Sequence, residues 1–307
     1  MKAMPVVAYH TPVLVDTVVA LLRDATHVLD GTLGGGGHAE ALLSAGVQKL
    51  VGVDRDPAAI AAARERLEPY EHAGRFTAVQ ANYADVAASL GDDRFDGILL
   101  DLGVSSRQFD SAERGFTFRE GAPLDMRMGD ADVDAAAFLN SAAETELVRV
   151  FKEYGDERRP GRLAKSIVHR RATAPFRTSD DLVNAIRAAL GPRSGASDFA
   201  RIFQAVRIQV NDEIGSLRRA LPALRDRLAS GGVFAVITYH SGEDRVVKHE
   251  FRDWSAECIC PPRQPRCTCR GHALGANITK RPIAPSDVEI SANPRARSAR
   301  LRAWRAA

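Results

Sequence analysis

Compact apolar runs alternate with Ala/Leu-rich stretches over the first hundred residues. The runs at 27–33, 49–56, 75–83 and 95–103 are bounded by Gly, Asp or Asn, which predicts four short buried strands. Between them "HAEALLSAG" and "PAAIAAARERLEPY" have helical character. This alternation predicts βαβ units and a parallel sheet. From about residue 105 to 215 the strand pattern disappears, and the stretches 134–155, 159–173, 178–191 and 197–229 all show helical spacing. Thr178 and Ser179 are placed to open one of these helices, and Gly191-Pro192 to end it. A strand pattern returns at 231–241, and the alternating segment 295–306 predicts a last, antiparallel strand. The predicted fold class is therefore α/β, with residues 1–107 and 216–307 forming a cofactor domain. A helical insert at 108–215 interrupts the sheet after its fourth strand.

Composition narrows the class. The 307 residues are 45% hydrophobic and 26% charged, ordinary values for a globular chain. No run of about 18 apolar residues is present, so no membrane helix is expected. The N-terminal apolar stretch is broken by Tyr9, His10 and Asp16, which argues against a signal peptide and for a cytoplasmic protein. The net charge of +3 hides an asymmetry. Residues 1–148 carry 12 Lys/Arg against 23 Asp/Glu, whereas 149–227 carry 17 against 9 and 245–307 carry 13 against 5. Basic segments on an acidic body suggest a polyanionic partner, with nucleic acid first; the competing reading is a solvated, Arg-rich helix surface. Arg158, Arg159, Arg162, Arg170 and Arg171 in the insert are candidates for phosphate contact.

The candidate chemistry begins at "DGTLGGGGH", Asp30 to His38, where a predicted strand meets a predicted helix. Glycines there permit a sharp turn and close approach of a ligand to the backbone. Asp54 ends the next strand, placed to accept hydrogen bonds from both hydroxyls of a ribose. No Gly-Lys-Ser/Thr follows the glycines, which argues against a phosphate-binding P-loop. As Gly34-x-Gly36-x-x-Ala39 the loop fits a dinucleotide fingerprint; as Asp30-Gly31-Thr32-x-Gly34-x-Gly36-Gly37 it fits the loop of S-adenosylmethionine-dependent methyltransferases. The third and fourth strand ends favour the second reading. Tyr83 is placed to lie over an adenine, with Asn82 or Asp85 at its edge, and Asp101 supplies an acid at the fourth strand end. The competing role for Asp101 is a helix cap or turn.

At this point the chain resembles a family. "YHTPVLVDTV", "DGTLGGGGHAEALL", "GVDRDPAAI", "FDGILLDLGVSSRQFDSAERGFTFREGAPLDMRM", "RIFQAVRIQVNDEI", "YHSGEDRVVK" and "NPRARSARLR" are similar, in order from His10 to Arg302, to bacterial small-subunit ribosomal RNA methyltransferases of the RsmH (MraW) family. The resemblance implies a Rossmann-like S-adenosylmethionine methyltransferase sheet. It also implies transfer of a methyl group to the exocyclic N(4) of a cytidine in the decoding centre of 16S rRNA, within the small ribosomal subunit. Carried over residue by residue, it implies that Gly36, Gly37, His38, Asp54, Tyr83, Asp101 and Gln108 contact the cofactor. The chain departs from the family's usual residues at Tyr83 (Phe), Arg107 (Pro), Gly242 (Leu) and Ile202 (Thr). Two other readings compete: a non-catalytic ribosome-assembly factor and a nicotinamide-dependent oxidoreductase. The sequence leaves open whether the chain forms a homodimer.

The chemistry needs an acceptor for a hydrogen of the cytosine amine, whose lone pair is delocalised into the ring. The chain lacks the Pro-Pro-aromatic motif many amino methyltransferases carry after the fourth strand; it has Asp101-Leu-Gly-Val-Ser-Ser. Asp101, Ser105 or Ser106 is therefore expected to accept that hydrogen. His240 follows the fifth strand and is a candidate to orient the base or take up a proton, or simply to support the nearby turn. His10 is a candidate to close over the cofactor. The target cytosine must leave its stack to reach such a site.

All four cysteines fall in "CICPPRQPRCTCR" as Cys258-x-Cys260 and Cys267-x-Cys269, with His272 nearby. Four thiolates suit zinc, although the spacing is tighter than the usual pair separated by two residues. The alternative is a Pro-rich loop of reduced thiols, and no metal is assigned to the catalytic site.

Overall fold

A computed structural model describes residues 12–103, 112–129, 133–261, 263–264 and 266–307. The chain divides into two compact units, Met1–Gly103 with Gly215–Ala307, and Val104–Ile214.

The first unit is built on a seven-stranded sheet of order β3-β2-β1-β4-β5-β7-β6. Its strands are β1 (His27–Asp30), β2 (Lys49–Asp54), β3 (Phe76–Gln80), β4 (Phe95–Asp101), β5 (Leu228–Thr238), β6 (Gly275–Asn277) and β7 (Arg300–Ala306). The first five run parallel, while β7 is antiparallel to both β5 and β6. This is the Rossmann-like sheet expected of S-adenosylmethionine methyltransferases, with its strand order reversing at β1. Successive residues of each strand face opposite layers. Val28, Leu99, Ala235, Ile237 and Ala303 pack with helices α1 (Val15–Leu22), α2 (Gly37–Ser44) and α3 (Pro57–His72). Leu29, Ile98, Leu100, Phe234, Val236 and Trp304 pack with the two helices that follow the insert. Burial on both faces is why these strands read as continuous apolar runs rather than alternating ones. On the second face Phe234, Phe251, Trp254 and Trp304 form an aromatic cluster, with Trp254 edge-on to Trp304 at 5.2 Å between centroids.

Local chemistry explains the boundaries. Asp56 caps α3 by accepting from the Ala58 N–H at 3.0 Å, and Pro57 occupies the first turn. The predicted last strand forms only from Arg300; its first half is a 3-10 turn, Pro294–Ser298. β6 is three residues long and carries no periodicity a sequence reading detects.

The second unit is helical. It contains α4 (Ala135–Ser141), α5 (Glu144–Glu153), α6 (Pro160–Arg171), α7 (Ser179–Leu190) and α8 (Ala196–Val210). Among its described residues there is no strand, only a single bridge between Pro123 and Thr178. Leu147, Val150, Phe151, Leu163, Ile167, Phe176, Leu182, Ile186, Ile202 and Val206 form its core. Thr178 and Asp181 cap α7 reciprocally, and Gly191 ends it. The stretch 197–229, helical throughout in spacing, is broken in two. After α8, Asp212 adopts a left-handed φ of 47°, and α9 (Glu213–Arg225) begins. The buried Asn211 explains the break: its Oδ1 accepts from the Met128 N–H and its Nδ2 donates to the Met126 carbonyl, both at 2.7 Å. The "LDMRM" segment, distinctive in sequence, is thus a structural support, with Leu124, Met126 and Met128 buried and Asp125 gripping Arg127 through two bonds of 2.9 and 2.8 Å.

No described helix is long and apolar enough to cross a membrane.

Candidate functional site

Ligands of open α/β sheets gather at the carboxyl ends of the strands where the order reverses. Here the ends of β3, β2, β1 and β4 bring Tyr83, Asp54, the glycine loop and Asp101 to one edge, and β5 adds Tyr239 and His240. Asp54 is tied into the loop. Its Oδ2 accepts from the Gly34 N–H at 2.8 Å and its Oδ1 from the Asp56 N–H at 2.9 Å. Burial raises its pKa, and these two backbone bonds oppose the rise. Each oxygen retains further lone-pair capacity toward a diol.

The loop's glycines differ in the space around them. Gly36, at φ 78°, packs so tightly that a Cβ would stand 3.1 Å from Leu67 and 3.4 Å from Ala63. It serves the turn and the approach of α3. At Gly34, φ 51°, a Cβ would meet nothing closer than the Thr32 carbonyl at 3.9 Å. Open backbone beside an anchored carboxylate, at the entrance to α2, suits an adenosyl cofactor.

Asp101 heads a buried polar knot. The Tyr239 hydroxyl donates to its Oδ1 at 2.9 Å, and its backbone N–H donates to Thr32 Oγ1 at 2.5 Å. His38 Nδ1 lies 3.6 Å from its Oδ2. The other ring nitrogen, Nε2, is 2.9 Å from the Val13 carbonyl, which only accepts, so Nε2 carries the hydrogen. In the neutral ring Nδ1 then presents a lone pair to Asp101. A carboxyl proton between the two relieves that repulsion, and burial favours the neutral forms on both sides. Burial pushes Asp101 up to about 7, against the lowering influence of the Tyr239 hydrogen bond, and holds His38 below its ordinary value. Asp30, 1% exposed, is pushed up to about 6 by burial, with His38 opposing. The Asp101 side chain keeps 21% of its surface exposed.

His38 thus has the Val13 carbonyl at one ring nitrogen and lies beside Asp101 at the other. His240 caps α10 (Ser241–Ser255): the Glu243 N–H points to its Nδ1 at 3.4 Å, and its Nε2 lies 3.2 Å from Glu243 Oε1. These contacts fit the turn-supporting alternative for His240. Asn82 spends its Oδ1 on the Ala84 N–H, in an Asx turn that sets Tyr83 at the strand end. Ser105, Ser106, Arg107, Gln108 and His10 lie outside the described residues. Sequence reasoning missed Tyr239, Thr32 and Asp30 as members of the knot. Tyr239 stands beside His240 in the quoted "YHSGEDR" run, so its place at a strand end was the available signal.

Tyr239→Phe removes the bond that lowers Asp101, so the carboxyl rises further. The expected outcome is a rate–pH profile displaced upward by about one unit, with activity several-fold low near pH 7 and recovering above pH 8. An unmoved profile would show that the hydroxyl does not tune Asp101.

Of the five arginines considered for phosphate contact, three bond within the fold, with Arg159 donating to the Leu190 carbonyl at 3.0 Å beside Arg170 and Arg171. Arg170 pairs with Asp181 at 2.9 Å, and Arg171 donates to the carbonyls of Leu139 and Ala142. Arg158, Arg159 and Arg162 are exposed. Arg162, Lys165 and His169 recur at helical spacing and are all exposed, forming one basic stripe along α6 opposite its buried Leu163, Ala164 and Ile167, and the exposed Arg158 lies just before the helix. An open groove of about 550 Å3 also lies in this unit, lined by Arg158, Arg159, Arg193 and Arg201 with Asp156, Glu157 and Asp198. Arg201 is committed to Glu157 and Asp198 there, so the groove is a charge network rather than a cofactor cleft.

Comparison with known proteins agrees with this architecture. Residues 7–307 match the profile of the MraW methylase family. A protein of Gemmatimonas aurantiaca described as Ribosomal RNA small subunit methyltransferase H is 65% identical over 302 residues, covering 97% of this chain and 96% of that one. Proteins of the same description are 46% identical in Heliobacterium modesticaldum, covering 97% of this chain and 98% of the relative, and in Geobacter sulfurreducens, covering 96% and 97%.

Proposed function

The chain belongs to the MraW methylase family of S-adenosylmethionine-dependent methyltransferases, and on that premise we propose that it methylates the exocyclic N(4) of a cytidine in the decoding centre of 16S rRNA. The observation that carries the reading is the meeting of Asp54, the Gly34 backbone and Asp101 at one sheet edge, in a chain that matches the family over almost its whole length.

The cofactor supplies a methyl group on a sulfonium centre. In the proposed site Asp54 holds the ribose hydroxyls and Tyr83 lies against the adenine. Gly36 and Gly37 set the loop, and Gln108 supports the methionine end. Asp101, in its ionised form, accepts a hydrogen from the cytosine amine and draws the nitrogen lone pair out of conjugation. Ser105 is the second candidate acceptor. The Tyr239 hydroxyl fixes the carboxylate's orientation. The enzyme acts inside the cell on the small ribosomal subunit, and the basic helical unit provides its hold on RNA.

Incubation with labelled S-adenosylmethionine and small subunits from cells lacking the enzyme is expected to place label in the subunit's RNA. Label confined to protein would contradict the proposal. The helical unit's part is tested by Arg162→Glu combined with Lys165→Glu. The expected outcome is RNA affinity reduced about tenfold or more at low salt, and a salt dependence shallower by about two ions, with cofactor affinity unchanged. An unchanged salt slope would remove the α6 stripe from the RNA contact.

A further inference from the structure

We propose that Cys258, Cys260, Cys267 and Cys269 form a structural zinc site that holds together the connection between α10 and β6. Their sulfurs all lie within 4.8 Å of one another. Individual separations are 3.8 Å for Cys258–Cys267, 3.8 Å for Cys258–Cys269, 3.9 Å for Cys260–Cys267 and 3.4 Å for Cys267–Cys269. A tetrahedral zinc with Zn–S bonds of about 2.3 Å sets its sulfurs about 3.8 Å apart. A disulfide would need sulfurs at about 2.05 Å, and two disulfides would split the cluster into two short pairs. The four sulfurs are instead gathered within 4.8 Å of one another, as around one central ion.

The surrounding backbone suits thiolates. The Ile259 N–H donates to Cys269 Sγ at 3.4 Å, and the Thr268 N–H donates to Cys260 Sγ at 3.5 Å. Each pair's intervening residue thus bonds a sulfur of the opposite pair, which locks the two C-x-C turns face to face. Four thiolates with Zn2+ leave a charge of about −2, and Arg263, Arg266 and Arg270 stand in the same segment to offset it. His272 is engaged elsewhere, with Nδ1 2.9 Å from the Arg270 carbonyl. Four sulfurs close the coordination shell, so the site has no open position and its role is structural.

The segment has no buried side chain among its described residues to hold its shape. No described residue from 256 to 274 is buried, and Ile259 is 49% exposed. Its ends are fixed, by Arg270 on the Asp253 and Ala256 carbonyls and by the Leu274 N–H on the Trp254 carbonyl. Its middle has no apolar core, and in such a piece metal binding supplies the folding free energy.

The test uses the full-length protein purified under reducing conditions without chelator. Elemental analysis is expected to find about one zinc per chain, and Cys258→Ser with Cys267→Ser to lower it at least tenfold. Should that variant fail to fold, wild-type protein is stripped with chelator and titrated with ZnCl2. One equivalent is expected to protect all four thiols from a thiol-specific reagent, and Co2+ in its place to give the absorption of a tetrahedral thiolate site. Four thiols that react equally with and without ZnCl2 would overturn the proposal. So would stoichiometric iron, or disulfides under reducing conditions.

Discussion

Replacing Asp101 by Asn is expected to lower the rate of methyl transfer by roughly 10²–10³-fold while leaving the affinity for S-adenosylmethionine within a few-fold. The amide keeps an acceptor for the Tyr239 hydroxyl and offers a donor to His38 Nδ1, so the knot stays filled. What it loses is the negative charge that would accept the amine hydrogen. In the wild type that charge exists only above the raised pKa, so turnover is expected to climb as the pH passes through about 7. Stability runs the other way. The folded carboxyl lies above its unfolded value, so between about pH 4 and about pH 7 the folded chain holds a proton that the unfolded chain has shed. The stability tied to that proton is full below about pH 4 and is lost as the pH rises through about 7. Asp101→Asn, which has no charge to bury, is therefore expected to raise the melting temperature of the cofactor-free protein at pH 8 and to change it little at pH 4. Wild-type turnover in the variant, or equal stability changes at both pH values, would remove Asp101 from the proposed role.

The second large effect falls on the cofactor. Asp54→Ala removes an acceptor that would serve both ribose hydroxyls, together with the bonds from Gly34 and Asp56 that hold the loop. Hydrogen bonds to a charged group contribute about 1.5–3 kcal/mol each, so loss of the pair weakens binding by about 3 kcal/mol or more, a factor of at least roughly 10². Asp54→Asn keeps one acceptor oxygen and is expected to fall between wild type and Asp54→Ala. Calorimetric titration with S-adenosylmethionine checks the series. Equal affinity across all three proteins would contradict a ribose contact by this residue.

The contrast between Asp54 and Tyr239 marks where the sequence is readable. Asp54, the glycine loop and the caps at Asp56 and Thr178 are local devices, written within a few residues of the elements they serve. The sheet's first five strands are legible for the same reason, because burial on both faces leaves continuous apolar runs. Tyr239 meets Asp101 across 138 residues, and His38 meets Val13 across 25, so neither contact leaves a local pattern. Arg170 and Arg171 looked like surface cations because composition cannot show that their guanidinium groups turn inward to Asp181 and to helix-end carbonyls. The break between α8 and α9 escaped detection because helical spacing runs through it; the cause, Asn211 bonding a segment some 83 residues away, is tertiary. β6 is too short for any period to register. Tight packing at Gly36 and open space at Gly34 likewise depend on where α3 lies.

The most direct test of the proposed activity is to identify the methylated atom. Small subunits from cells lacking the enzyme are incubated with it and with S-adenosylmethionine carrying an isotopically labelled methyl group. Their RNA is then digested to nucleosides and separated by mass spectrometry. The account predicts label on N(4) of cytidine, at a single position in the decoding centre; label on the C5 ring carbon or on a ribose oxygen, with none on N(4), would contradict it.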